Sequence, residues 1–249
     1  MKLTNGRVDD AASRVANLLS ARGVRPGDKV ALSCSNTPDF TIVYFGILKA
    51  GAVVVPLNVL LTGLEIAYHL RDSHVVAYFA YEGTTDLPIG EAAWDGYQAT
   101  ESCRHFLLIQ CDSTLTPTLD GPECYSPLVL AQSPIFDTVE RDDDDTAVIL
   151  YTSGTTGQPK GAELRHRNMR DNALASSALF GTHKDRSHTY LCVLPLFHSF
   201  EQTVIQNGGF AFGGTIVMLQ RFDAALAIAL MLREEVTFFA GVPTCIGPC

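Results

Sequence analysis

Between residues 8 and 81 the apolar pattern switches repeatedly from helical to strand spacing, and this alternation limits the fold more than any other feature. Val8, Ala12, Val15, Leu18, Leu19 and Arg22 share one helical face over residues 8–22, and Gly23 stops the helix. Arg25-Pro26-Gly27-Asp28 predicts a turn, and Lys29 to Cys34 a strand. Thr37 then stands as N-cap before Pro38, at the first helical position where a missing N–H costs nothing. Phe40, Val43, Tyr44, Ile47 and Leu48 line that second helix, which ends at Gly51, and Ala52 to Pro56 is the next strand. Thr62 and Glu65 have capping-box spacing, starting a short helix that ends near Asp72. Val75 to Tyr81 is a third strand. Strand, helix, strand, helix, strand is the order of a parallel sheet with crossover helices, so the fold class is α/β.

Residues 82–140 carry weaker signals: a strand over His105 to Gln110 and a loop over Pro117 to Pro127. Four aspartates, Asp142 to Asp145, follow. Adjacent side chains point apart and cannot all face one ion, so the run reads as a solvated linker between two lobes, 1–140 and 141–249. Ala147 to Leu150 is an apolar strand. Met169, Ala173, Ser177 and Phe180 mark a later helix. Strand Thr189 to Leu194, strand Thr215 to Leu219, helix Asp223 to Arg233 and strand Val236 to Val242 repeat the α/β pattern.

The strand at residue 147 delivers Tyr151-Thr152-Ser153-Gly154-Thr155-Thr156-Gly157-Gln158-Pro159-Lys160-Gly161. Gly154 and Gly157 permit backbone angles that a Cβ opposes. The hydroxyls of Thr152, Ser153, Thr155 and Thr156 and the loop N–H groups can converge on an anion, and Lys160 adds a point charge. The chemistry is polyphosphate binding. A Walker A loop is excluded because Pro159 stands five residues after Gly154, and no G-x-G-x-x-G turn occurs. Lys160, Arg165, Arg167 and Arg170 against Glu163 make a local basic zone, whose three arginines read as a solvated helix face.

The eleven-residue loop resembles the phosphate-binding motif of the adenylate-forming enzymes, which include acyl-CoA synthetases, luciferases and peptide-synthetase adenylation domains. Gly23-Val24-Arg25-Pro26-Gly27-Asp28-Lys29-Val30 and Gly51-Ala52-Val53-Val54-Val55-Pro56-Leu57-Asn58 resemble scaffold segments near the start of acyl-CoA synthetases. On the residues alone, His198 reads equally as a histidine packed between Phe197 and Phe200 or as a group facing a ligand crevice. Leu194-Pro195-Leu196-Phe197-His198-Ser199-Phe200 resembles the family segment whose histidine lies against the carboxylate and acyl pocket. One departure stands out: the family usually has glycine after that phenylalanine, and here Glu201 occupies the place. Gly241-Val242-Pro243-Thr244 resembles the acyl-pocket segment; on its residues alone it is a strand end with a turn.

The resemblance implies two α/β lobes of an AMP-binding domain and a two-step ligase. A carboxylate attacks the α-phosphate of Mg-ATP to give acyl-AMP and pyrophosphate, and a thiol, usually of coenzyme A, displaces AMP. It implies Thr152, Ser153, Gly154, Thr155, Thr156, Gly157 and Lys160 as the ATP cradle, with Thr155 and Thr156 beside Mg2+. Lys160 and His198 are the catalytic candidates, and His198, Phe200, Gly241, Val242, Pro243 and Thr244 the substrate contacts. The greasy setting of His198 favours a fatty acid. Later family motifs, including the Tyr-Gly-x-Thr-Glu segment and the lysine of a mobile C-terminal domain, have no counterpart in these residues. The chain is therefore expected to be the first part of a synthetase, inactive alone. A nucleotide- or acyl-binding fragment and an acyl-AMP ligase loading a carrier protein are the alternatives.

Composition narrows the partners. The 249 residues carry a net charge of −9, which argues against nucleic acid as a partner. Seven cysteines with no C-x-x-C pair suggest reduced thiols in the cytoplasm. The longest apolar stretch, 40–56, is broken by Lys49 and Gly51, so no membrane span is expected; peripheral association stays open without a basic amphipathic helix to support it.

Overall fold

The computed structural model describes residues 2–112, 114, 117, 119–152, 157–182 and 187–246, with the backbone alone at 244 and 246. Two compact units result, one of residues 1–34 and 39–166, the other of residues 35–38 and 167–249.

The first unit is built on a seven-stranded sheet of order β5-β4-β3-β1-β2-β6-β7. Its strands are β1 (Lys29–Ser33), β2 (Val53–Pro56), β3 (Val75–Tyr81), β4 (His105–Ile109), β5 (Glu123–Cys124), β6 (Thr146–Thr152) and β7 (Lys160–Arg165). All neighbours pair in parallel except β6 and β7, which are antiparallel. The near-continuous burial of β1 to β4 is what a parallel sheet covered on both faces demands. Helix α1 (Asn5–Ala21) starts earlier than its apolar face suggests, because the Thr4 hydroxyl accepts from Arg7 N at 3.2 Å and caps it. Helices α2 (Pro38–Lys49) and α3 (Gly63–Asp72) end close to where the apolar pattern stops. The expected capping box is present: Glu65 N reaches the Thr62 hydroxyl at 3.5 Å, and Thr62 N donates to Glu65 Oε2 at 2.8 Å.

Three expectations need correction here. Residues 82–140 hold more order than their signals suggest: helix α4 (Ile89–Gln98), strand β5 and helix α5 (Tyr125–Leu130), the last two within or just beyond the expected loop 117–127. Gly90 and Gly96 disguise α4 as a broken segment. Gly96 instead lets α3 approach, since a Cβ there would stand 2.5 Å from Ile66 Cγ2. That contact joins Ile66, Leu70, Ala93, Tyr78 and Phe106 in one core, where each large apolar side chain contributes about 1.5–3 kcal/mol. Second, Lys160 to Arg165 form a strand, so Arg165 belongs to β7 and pairs with Asp144 at 2.8 Å. Third, the aspartate run is a turn tied into the first unit. Asp142 N donates to Asp145 Oδ2 at 3.0 Å, and Arg141 pairs with Asp145 at 3.1 Å. The units divide at His166/Arg167 rather than at 140/141, because β6 and β7 complete the first sheet.

The second unit contains helix α6 (His166–Phe180, from Arg167 onward) and a parallel three-stranded sheet, β10-β8-β9. Its strands are β8 (Thr189–Cys192), β9 (Thr215–Met218) and β10 (Phe238–Phe239). The expected strand 236–242 shrinks to the two residues that pair with β8. A π-helix, Glu201–Asn207, runs into α7 (Gly208–Ala211), and α8 (Ala224–Arg233) is capped by Asp223, whose Oδ1 accepts from Leu226 N at 2.7 Å. Leu191, Val193, Leu219, Ala227 and Leu230 form its core. A four-residue helix, α9 (Pro243–Ile246), follows β10. Among the described residues no helix is long and apolar enough to cross a membrane. The six described cysteines are free.

Candidate functional site

In the first unit the Ser/Thr/Gly-rich loop joins β6 to β7 as a hairpin. Thr152 pairs with Lys160 and Tyr151 with Gly161, so the loop leaves and returns at the carboxyl edge of the parallel strand β6. Thr152, Gly157 and Lys160 are exposed. Gly157 has φ +90°, and the space a Cβ would take is open, which suits a backbone that must admit a ligand closely. Ser153, Gly154, Thr155 and Thr156 lie outside the described residues.

Both limbs of the hairpin are tied to α3. Tyr151 donates its hydroxyl to Asp72 Oδ2 at 2.6 Å, and Tyr68 donates to the Pro159 carbonyl at 2.9 Å. The buried His69 ring meets Tyr151 edge-on at 4.3 Å, with its Nδ1–H turned to the Glu65 carbonyl at 2.6 Å. Burial, and then the Asp72 carboxylate, push the Tyr151 hydroxyl well above its ordinary range, so it stays a donor. Sequence reasoning missed Tyr68, His69 and Asp72. Each lies on a helix with its own capping logic, and nothing local signals a partner some 80 to 90 residues away.

The second unit holds the other candidates. β10 runs parallel to β8, so Gly241–Pro243 and the turn 193–198 leave the sheet at the same carboxyl edge. His198 is exposed, its ring 4.7 Å from that of the buried Phe197, and Phe200 is 42% exposed. Val242 and Pro243 are exposed, and Val242 accepts from Cys245 N at 2.8 Å; Thr244 is described by its backbone only.

Glu201 resolves the departure from the glycine pattern. It begins the π-helix with its side chain fully buried, and its Oε1 accepts from Val193 N at 3.0 Å and Leu194 N at 3.2 Å. Burial raises its carboxyl to about 7, against the opposing pull of the Cys192 thiol and those two N–H groups. Asn36 is a further missed residue: its Oδ1 accepts from Leu196 N at 2.9 Å, and its Nδ2 donates to the Leu194 carbonyl at 2.8 Å.

A family model described as AMP-binding enzyme matches residues 1–247. The chain belongs to that family. A crotonobetaine/carnitine–CoA ligase of Salmonella heidelberg (strain SL476) is 31% identical over 251 residues, covering 96% of this chain and 45% of the relative. The ATP-bound structure of MatB from Rhodopseudomonas palustris is similar with a TM-score of 0.77 at 30% identity, over 96% of this chain and 44% of that one. A benzoate CoA ligase from Burkholderia xenovorans LB400 is similar with a TM-score of 0.79 at 26% identity, over 98% and 45%. The chain thus spans about half the length of the relatives it matches, and the fold is the N-terminal part of an adenylate-forming enzyme.

Proposed function

We propose that the intact protein is an acid–thiol ligase. A carboxylate oxygen attacks the α-phosphorus of ATP, pyrophosphate leaves, and the thiol of coenzyme A then attacks the acyl carbon and releases AMP. The observation that carries this reading is the β6–β7 hairpin, with Gly157 at φ +90° and exposed Lys160 at its foot, in a chain of the AMP-binding family.

Thr152, Ser153, Gly154, Thr155, Thr156 and Gly157 cradle the β- and γ-phosphates in this reading, and Lys160 neutralises charge that grows as pyrophosphate departs. The exposure of Thr152, Gly157 and Lys160 supports a polyphosphate ligand. Mg2+, beside Thr155 and Thr156, would supply further charge neutralisation. His198 orients the attacking carboxylate, so that positioning rather than a protein nucleophile carries the chemistry. Phe200, Gly241, Val242, Pro243 and Thr244 shape the acyl site. Their apolar character supports a fatty acid as substrate, whereas the relatives named above carry crotonobetaine, carnitine and benzoate in their names.

The ligase reaction is proposed for the intact enzyme, because these residues correspond to less than half of each relative. The 249-residue chain assayed alone is expected to bind nucleotide without turnover. A carboxylate panel tests the reading: pyrophosphate release from the intact enzyme with octanoate, palmitate, benzoate and carnitine, with and without coenzyme A. Release driven by an alkanoate supports the fatty acid assignment, and release driven only by benzoate or carnitine overturns it. Adenylate formation without a thioester to free coenzyme A would favour carrier-protein loading.

A further inference from the structure

The turn from Val193 to His198 is held by two side chains that approach it from different stretches of sequence. From the C-terminal side, the Glu201 carboxylate reaches back to accept two consecutive N–H groups, Val193 and Leu194. From residues 35–38 of the same unit, Asn36 accepts from Leu196 N and donates to the carbonyls of Leu194 (2.8 Å) and Leu219 (3.3 Å). His198 N closes the turn on the Pro195 carbonyl at 3.0 Å, and Gln202 N donates to the His198 carbonyl at 3.2 Å. The N–H groups of residues 193, 194, 196 and 198 therefore all have acceptors, two of them supplied by one carboxylate oxygen.

Burying a carboxyl group is costly unless hydrogen bonds compensate, and here the two N–H groups of the turn supply that compensation. The π-helix register belongs to the same feature, because such segments interrupt regular helix at functional sites more often than elsewhere. Here the segment begins on Glu201, three residues after His198.

We propose that Glu201, with Asn36 as the opposing jaw, is a positioning residue for His198, holding the 193–198 turn so that the imidazole meets the substrate carboxylate in one orientation. This inference rests on the role given to His198 in the proposed function. Glu201 is fully buried and bonds the backbone of the turn. Its effect passes through the backbone of the turn.

The test is a double-mutant cycle in the intact ligase, with initial rates at saturating ATP and varied carboxylate. Glu201→Ala is expected to lower kcat/KM for the carboxylate about ten- to hundredfold while KM for ATP stays within about twofold. Glu201→Gln keeps an oxygen acceptor and is expected to stay within about threefold of the unaltered enzyme. In a His198→Ala background, Glu201→Ala should add less than about twofold, since the group it positions is gone. Full additivity of the two substitutions overturns the proposal, as does an equal loss in both substrates. If His198→Ala by itself leaves carboxylate kcat/KM unchanged, the reading of His198 fails instead. Should Glu201→Ala not fold, Glu201→Asp, which withdraws the acceptor by one methylene, takes its place in the cycle with the same expectations.

Discussion

The hairpin of the first unit and the turn of the second solve opposite problems. The hairpin keeps its candidate phosphate-binding residues in solvent: Thr152, Gly157 and Lys160 are all exposed, and two tyrosine hydroxyls tie its limbs to α3, Tyr151 reaching out to Asp72 and Tyr68 reaching in from α3. The turn exposes one imidazole and buries its supports, a fully enclosed glutamate below and Asn36 alongside. In the proposed reading, a polyphosphate brings its own charge and water to groups that stand exposed at the hairpin's foot. A carboxylate that must attack along one line needs a rigid partner. In that reading, phosphate binding goes with polar groups at the rim, and carboxylate orientation with polar groups in the core.

The comparison breaks most sharply at Lys160. Lys160→Ala in the intact enzyme should reduce kcat for adenylation about 10²- to 10³-fold, read as pyrophosphate release, with little change in unfolding midpoint because the side chain is exposed. A large loss of stability would mean that the hairpin, too, depends on its charged group for folding.

Glu201 should show the reverse balance, in stability and its pH dependence. Its folded carboxyl titrates at about 7 against an ordinary 4.5, so the protonated form is favoured by folding. Its contribution is fully present below about pH 4.5 and is lost as pH rises to about 7, amounting to about 3 kcal/mol. Glu201→Gln cannot ionise. Chemical denaturation of the two chains should therefore show the variant gaining about 3 kcal/mol on the unaltered protein across that window, and a flat difference would show that the carboxylate is not desolvated.

Smaller effects are expected at the hairpin supports. Tyr68→Phe and Tyr151→Phe each remove one hydrogen bond and should cost about 0.5–1.5 kcal/mol by denaturation, with a raised Kd for ATP in calorimetry. Tyr151→Phe should cost the more, since its acceptor is a carboxylate and charge-assisted hydrogen bonds are the stronger ones. Thr62→Ala, which removes the cap of α3, should cost about 1 kcal/mol and weaken ATP binding only insofar as α3 carries the hairpin. Equal losses of ATP affinity from the cap and from Tyr68 would show that α3 acts as a rigid support.

Much of the first unit was legible from residue order. β3 spans Val75–Tyr81 as its pattern predicts, and the Thr62/Glu65 box forms as spaced, because both depend on periodicity or on contacts three residues apart. Where the sequence misled, a distant partner had overruled the local signal. Helix α4 left only a weak signal in residues 82–140 because its Gly96 serves the packing of Ile66 from α3, and Arg165 reads as part of a solvated helix face until β7 pairs with β6.

The site divides in the same way. Residue order alone carried the kinship to the AMP-binding enzymes and the proposed roles of the hairpin, Lys160 and His198, since donors, glycines and charges in a fixed spacing are local properties. Only the tertiary structure decided what Glu201 does. By spacing it is a substitution at a glycine position. Its function as an acceptor for Val193 and Leu194 exists once the π-helix has brought the buried carboxyl group against the end of β8, where a low local dielectric strengthens both bonds.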